Sequence, residues 1–369
     1  MQFLIHVLWN KISNNYLIHI YWFMIENGEE YMQKSKRSPF IDYIKYFCAL
    51  EVIWLHSVNV KDSLGGMEEI VNNIVMKIMS VLPPVELFFV FSAFFFFSKH
   101  PNRSVLLHWI KRLGVTYVIY SILYLSQITS HFAGRGILLN TISLIRQYLF
   151  TGYGLMGWYI PALVWGGVVV YGLSMLNERL NNRWLSRLII AVIVLLSMFG
   201  SSYYYLLPIN PMSLFNKVFG GIGILRGIIY IYIGYELSSI DFKDRIGVKE
   251  IFGALILWLS MTLATTFVLS QGFALNTQGM LTRYLYVYSL SVLIFKMKNY
   301  ALFTSESKST DVGKMSASIY FTHVFIIDIL SFIKIPILVW TITVAITSFV
   351  AKVIVLGNKK GVPICKYLV

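Results

Sequence analysis

Lys45 and His56 are the first pair in this chain whose types and spacing could do chemistry together. Both lie in the apolar stretch DYIKYFCALEVIWLHS that begins at Asp42. In a helix, the eleven steps between them at about 100° each return nearly to one azimuth, with a rise of roughly 16 Å. Asp42 falls on the same stripe. A cation at one end and an imidazole at the other therefore face one direction. Imidazole titrates near neutral pH and takes a proton from a hydroxyl, while an ammonium holds phosphate or carboxylate. Glu51 projects about 140° away from His56 and must have another partner.

The elements that position such a stripe follow from composition. Of the 369 residues, 57% are hydrophobic and only 13% are charged, and the mean hydropathy is +0.67. This excludes a water-soluble globule, a disordered chain and a disulfide scaffold. Apolar blocks recur between short basic loops, which predicts an all-α, polytopic membrane protein. Ten spans are expected at 41–60, 80–98, 109–129, 157–176, 187–207, 221–237, 250–270, 280–296, 315–333 and 336–356. Ionisable groups at the bilayer centre cost about 2.5–3.5 kcal/mol each, so Lys45 and His56 are expected to face the protein interior.

The formal charge of +14 comes from 31 Lys and Arg against 17 Asp and Glu. With the residues before the first span in the cytoplasm, twenty-one of the basic residues fall on that side, among them Lys36, Arg37, Lys111, Arg112 and Arg183. Six fall on the other: Lys61, Lys77, Arg135, Arg146, Lys217 and Lys334. Lys11, Lys45, Arg226 and Arg283 are intramembrane or unassigned. Both termini are thus expected inside, and the excess charge reads as topology and attraction to anionic membrane lipid, with no nucleic-acid partner.

Residues 1–37 form an N-terminal extension, aromatic-rich and broken by Lys11, Asn14, Asn15 and His19. They read either as an interfacial helix or as a segment outside the working protein, which then begins near Met32. The ten-helix membrane domain is expected over 38–357 and a short cytoplasmic tail over 358–369. The stretch 137–150 is too interrupted to span and reads as a re-entrant or interfacial piece. Cys48 and Cys365 are too far apart along the topology to meet, and no metal motif is present in the sequence.

An Asp, a basic residue three positions on and a His eleven beyond it, in the first span, resemble the signature of the acyltransferase-3 family: integral-membrane enzymes that O-acylate surface polysaccharides and other extracytoplasmic acceptors. Lys45 stands where that family usually has Arg. VELFFVFSAFFFF from Val85 is similar to the family's second-span pattern, with Ala93 replacing a glycine and so altering a close backbone contact. IKRLGVTYVIY from Ile110 looks like its third-span entry, with Thr116 where proline is usual. GWYIPALV from Gly157, RGIIYIYIGYEL from Arg226 and SASIYFTHVFII from Ser316 resemble three later segments. Six fragments in order across about 38–356 make the resemblance specific.

The resemblance, taken with depth in the membrane, implies roles. His56 and Glu86 lie at similar depth near one face, so His56 is expected to be a general base oriented by Glu86; alternatively Glu86 neutralises Arg226 or Arg283. Lys45, Lys111 and Arg112 lie near the opposite, inner face, where the phosphates of cytoplasmic acyl-coenzyme A would arrive, although Lys111 and Arg112 also fit a purely topological role. Trp158 at an outer mouth offers a ring for sugar stacking, or is an interfacial belt residue with Tyr159. Arg226 enters its span from the same side. Ser316, Tyr320 and His323 share a stripe that either lines the cavity or packs as ordinary structure. Ser92 reads as a helix-packing residue.

The expected activity is therefore O-acyl transfer, most readily O-acetylation, from acyl-CoA to a hydroxyl of an extracytoplasmic or lipid-linked glycan, at the bacterial cytoplasmic membrane. Acyl-CoA is a donor substrate and no resident cofactor is implied. Buried charges in many spans equally fit a glycan transporter on composition, though no inverted repeat of broken helices is seen. A glycan polymerase would carry paired arginines in a large outer loop, and the longest such stretch, 130–156, has only Arg135 and Arg146.

Overall fold

The computed structural model describes residues 38–58, 81–125, 136–152, 157–207, 213, 215, 223–242, 246–270, 279–297 and 306–368. The N-terminal extension, and Lys61, Lys77, Arg135 and Lys217 of the expected outer loops, lie outside them. Ser38–Val369 forms one compact unit. The fold is all-helical, and no strand occurs among the described residues.

The longer helices are α1 (Pro39–Val58), α2 (Pro84–Phe97), α3 (Arg103–Ser121), α4 (Ile137–Arg146), α5 (Tyr159–Leu180) and α6 (Trp184–Phe199), followed by α7 (Gly223–Ser238), α8 (Val248–Ser270), α9 (Leu281–Met297), α10 (Glu306–Ile329) and α11 (Pro336–Lys359). A last turn, α12, covers Cys365–Leu368. A helix lies on each of the ten expected apolar stretches. Among the described residues three are long and apolar enough to cross a membrane: Tyr159–Leu180, Val248–Phe267 and Pro336–Lys359. Two shorter helices, Pro84–Phe97 and Trp184–Phe199, are also apolar.

The stretch expected to be re-entrant or interfacial is helical. α4 runs into a π-type turn over Gln147–Thr151 that ends at Gly152, whose φ of 71° suits a residue without Cβ. Trp165 of α5 fastens it by donating from Nε1 to the Leu149 carbonyl at 2.8 Å and by stacking on Phe150.

The outside of the helices is oily. Phe349, Leu263 and Phe267 are 68%, 62% and 61% exposed, and many other Leu, Ile and Val side chains point outward. In water such a surface would aggregate; in lipid it is the ordinary exterior of a membrane protein. Polar side chains turn inward and join helices. Ser186 pairs with Tyr232 at 2.9 Å between α6 and α7, and Ser197 with Tyr284 at 2.7 Å between α6 and α9.

Small residues let α7 sit at the centre. A Cβ on Gly227 would come within 2.8 Å of the Ala162 carbonyl oxygen on α5, and one on Gly166 within 3.1 Å of the Gly227 carbonyl carbon. Two turns further along nearly the same side of the helix, a Cβ on Gly234 would lie 2.5 Å from the Val90 carbonyl oxygen and 2.7 Å from the Ala93 methyl on α2. The expected loss of a close contact at Ala93 is thus met from the opposite helix: Gly234 supplies the space that Ala93 fills.

Candidate active site

Two helices running in the same direction, α1 and α10, carry both histidines and part of the polar cavity lining. Their pairing is set at one end by Asp42, buried against Gly313, where only a hydrogen fits beside the carboxylate. At the other end the rings of His56 and His323 lie 5.2 Å apart between centroids. The single-helix stripe from Lys45 to His56 is therefore matched by a second, from Gly313 and Ser316 through Tyr320 to His323.

Between these ends lies a cavity of about 260 Å³. Lys45, Ser92, Arg112, Thr116, Tyr159, Ser316 and Tyr320 supply its polar lining, with Phe88, Trp109, Leu113, Leu163 and Phe321 among the apolar walls. Lys45 Nζ stands 4.7 Å from the centroid of the Phe95 ring. Lys111, one step round α3 from Arg112, is exposed and is not part of the cavity wall. The backbone of Tyr367 and Leu368 in α12 closes part of the cavity. Thr116 donates to the Tyr367 carbonyl at 2.7 Å, while Tyr120 and Ser318 donate to the Leu368 carbonyl at 3.0 and 2.6 Å. Threonine at position 116 thus makes a tail contact that proline could not.

Tyr320 joins the cavity to the histidines. It lines the cavity, packs on Phe88 and Tyr159, and its ring centroid is 6.0 Å from that of His323. His323 is fully buried. His56 is half-buried, with its ring next to that of His323.

Glu86 makes a different partnership from the one with His56. Arg283 of α9 donates from Nε to Glu86 Oε1 at 2.7 Å, and a second guanidinium nitrogen reaches the same oxygen at 2.6 Å. No hydrogen bond links Glu86 and His56 among the described residues. Glu51, on the other face of α1 as its azimuth requires, is buried within the electrostatic reach of Glu86 and Arg283. Arg226 completes this group and lies 5.3 Å over the ring of Trp158. Trp158 also meets Phe89, with ring centroids 6.0 Å apart, so the indole is framed on two sides by protein. Glu86 and Arg283 thus form a buried ion pair, with Glu51 and Arg226 within its electrostatic reach, and such pairing is how buried ions are accommodated in lipid.

The contact between His56 and His323 and the closing of the cavity by α12 are not visible in the linear spacing. Nothing in the composition of α12 marks it as a cavity wall.

No curated protein and no solved structure matches the chain. The family model described as an acyltransferase domain matches residues 38–357, which takes in Lys45, His56, Glu86, Arg112, Tyr320 and His323. The helical fold, the inward-facing polar stripe and this match over nearly all of the chain agree, and the protein belongs to the acyltransferase-3 family.

Proposed function

We propose that this membrane acyltransferase is an acyl-CoA-dependent O-acyltransferase of the bacterial cytoplasmic membrane, acting on a hydroxyl of an extracytoplasmic or lipid-linked glycan. Ten helices cross the bilayer and both termini are cytoplasmic. The observation that carries the reading is the cavity lined by Lys45 and Arg112, from which the neighbouring rings of Tyr320 and His323 lead to His56. A donor with a phosphorylated head and a long thin arm fits a site with cations at one end and a base roughly 16 Å along the helix.

In the reaction, His56 accepts the proton of the glycan hydroxyl as its oxygen attacks the thioester carbonyl. The C–S bond then breaks, and the coenzyme A thiolate takes the proton back from His56. Lys45 and Arg112 hold the donor phosphates, and exposed Lys111 serves topology. Trp158, Arg226 and the Glu86–Arg283 pair frame the acceptor end. Acetyl is the acyl group that we favour.

Mass spectrometry of surface glycan from cells producing His56→Ala tests the base; unchanged acylation with a stably inserted protein would sink it. Coenzyme A binding by purified protein tests the donor. A transporter would bind none.

A further inference from the structure

We propose that His323 is the positioning residue for His56: its Nε2 accepts a hydrogen bond from one ring nitrogen of His56 and so presents the other as the bare base. The inference rests on the reading of His56 as general base.

The argument starts from a backbone carbonyl. His323 Nδ1 lies 2.7 Å from the Tyr320 carbonyl oxygen and 3.3 Å from that of Ile319. A carbonyl oxygen only accepts, so Nδ1 carries the proton and donates it. In the neutral ring Nε2 is then a bare acceptor. That atom is fully buried and has no hydrogen-bond partner among the described residues. A buried acceptor with nothing to accept is uncommon in a folded protein and calls for an explanation. The neighbouring ring supplies the donor that we assign to it: His56 stands 5.2 Å away between centroids, not hydrogen-bonded to Nε2 in this structure but near enough for a turn of its side chain to bring the nitrogen that bears hydrogen to that atom.

The consequence for catalysis concerns the tautomer. A neutral imidazole carries one proton, and a general base must offer its unprotonated nitrogen to the acceptor hydroxyl. When one N–H of His56 is given to His323 Nε2, the remaining nitrogen is left free to take the hydroxyl proton. As that proton arrives, His56 becomes imidazolium, and the bond to His323 Nε2 strengthens because its donor is now charged. The proton later leaves from the same nitrogen to the thiolate, so His323 neither gains nor loses a proton over the cycle. Orientation of a catalytic histidine by an adjacent carboxylate is the common arrangement. Here Glu86, the carboxylate expected to orient His56, is engaged by Arg283, and a neutral imidazole takes the orienting place.

Two polar variants separate this role from packing. Asn at 323 reproduces the Nδ1 side of the ring but reaches no further, whereas Gln places an acceptor oxygen near the position of Nε2. Vesicles from producing cells, supplied with labelled acetyl-CoA, would report label entering their own membrane-bound glycan. Initial rates against donor concentration give both the maximal rate per inserted protein and the KM. His323→Asn is expected to lower the maximal rate by about 10²-fold with KM within about twofold, and His323→Gln to recover at least about tenfold of the loss. Asn equal to or better than Gln, or both at the wild-type rate, overturns the proposal. His56→Ala measured alongside keeps the two readings apart. If it is inactive while the 323 variants are normal, only the positioning role falls; if it is fully active, the base itself is misassigned and both fall.

Discussion

Arg283 on α9 closes on Glu86 of α2 through two nitrogens that share one carboxylate oxygen, at 2.7 and 2.6 Å. The carboxylate side chain is 9% exposed and the guanidinium 22%, so the pair is largely withdrawn from any polar surroundings. It ties together two helices far apart in the sequence and sits beside Glu51 and Arg226.

Breaking that pair should cost more than removing it. Glu86→Leu or Arg283→Leu alone leaves an uncompensated buried charge and is expected to destabilise the protein by about 3–5 kcal/mol. The double Leu variant should recover most of that loss. Thermal unfolding of detergent-solubilised protein measures it, and a double variant no better than either single would contradict the pairing.

Loss of the imidazole at position 56 should remove activity without removing the fold. His56 is half-buried and makes no ion pair among the described residues, so His56→Ala is expected to insert and unfold normally while acylation falls by about 10²–10⁴-fold. Glycan mass spectrometry and a melting curve on one preparation decide this together.

Neighbouring cations on α3 should behave differently. Arg112 lines the cavity and Lys111 does not. Arg112→Ala and Lys45→Ala are each expected to weaken coenzyme A binding about tenfold, equivalent to ~1.4 kcal/mol, and Lys111→Ala to leave it nearly unchanged. Calorimetric titration of the purified protein gives the three values. Equal losses for Lys111 and Arg112 would point to general electrostatic attraction instead of a cavity contact.

Space at Gly234 should be required. Gly234→Ala would force a methyl onto the Val90 carbonyl and the Ala93 side chain, with an expected cost of about 1–3 kcal/mol. Adding Ala93→Gly should restore part of it, because the second contact is relieved and the backbone contact is not. Full restoration, or no loss from the first change, would show that α2 and α7 do not approach as described.

Much of the fold is legible in the chain itself. Ten apolar stretches carry helices, and the spacing of Asp42, Lys45 and His56 places them along one face of α1. The azimuth of Glu51 sends it to a separate partner, and it lies with Glu86 and Arg283. The likeness to an acyltransferase-3 pattern, including its departures at Lys45, Ala93 and Thr116, is likewise a property of residue order, and the family match over 38–357 agrees with it. The π-type turn after α4 is less legible, because its wider winding departs from the 3.6-residue period that sequence spacing reveals.

Helical geometry fixes how residues within one element are disposed, since rise and rotation per residue hardly vary. It fixes nothing about which residue of another element stands opposite. From sequence, Glu86 can serve His56, Arg226 or Arg283; helix placement brings it to Arg283. Lys111 and Arg112 are equivalent in the sequence, and the rotation of α3 separates them. His56 and His323 are 267 positions apart, and only the close packing of α1 on α10, allowed by Gly313 beneath Asp42, sets their rings side by side. The sequence by itself determined a helical membrane acyltransferase with a polar stripe. The tertiary structure decided the partners along that stripe, because contacts between helices depend on their relative rotation and shift, which no spacing within a single helix contains.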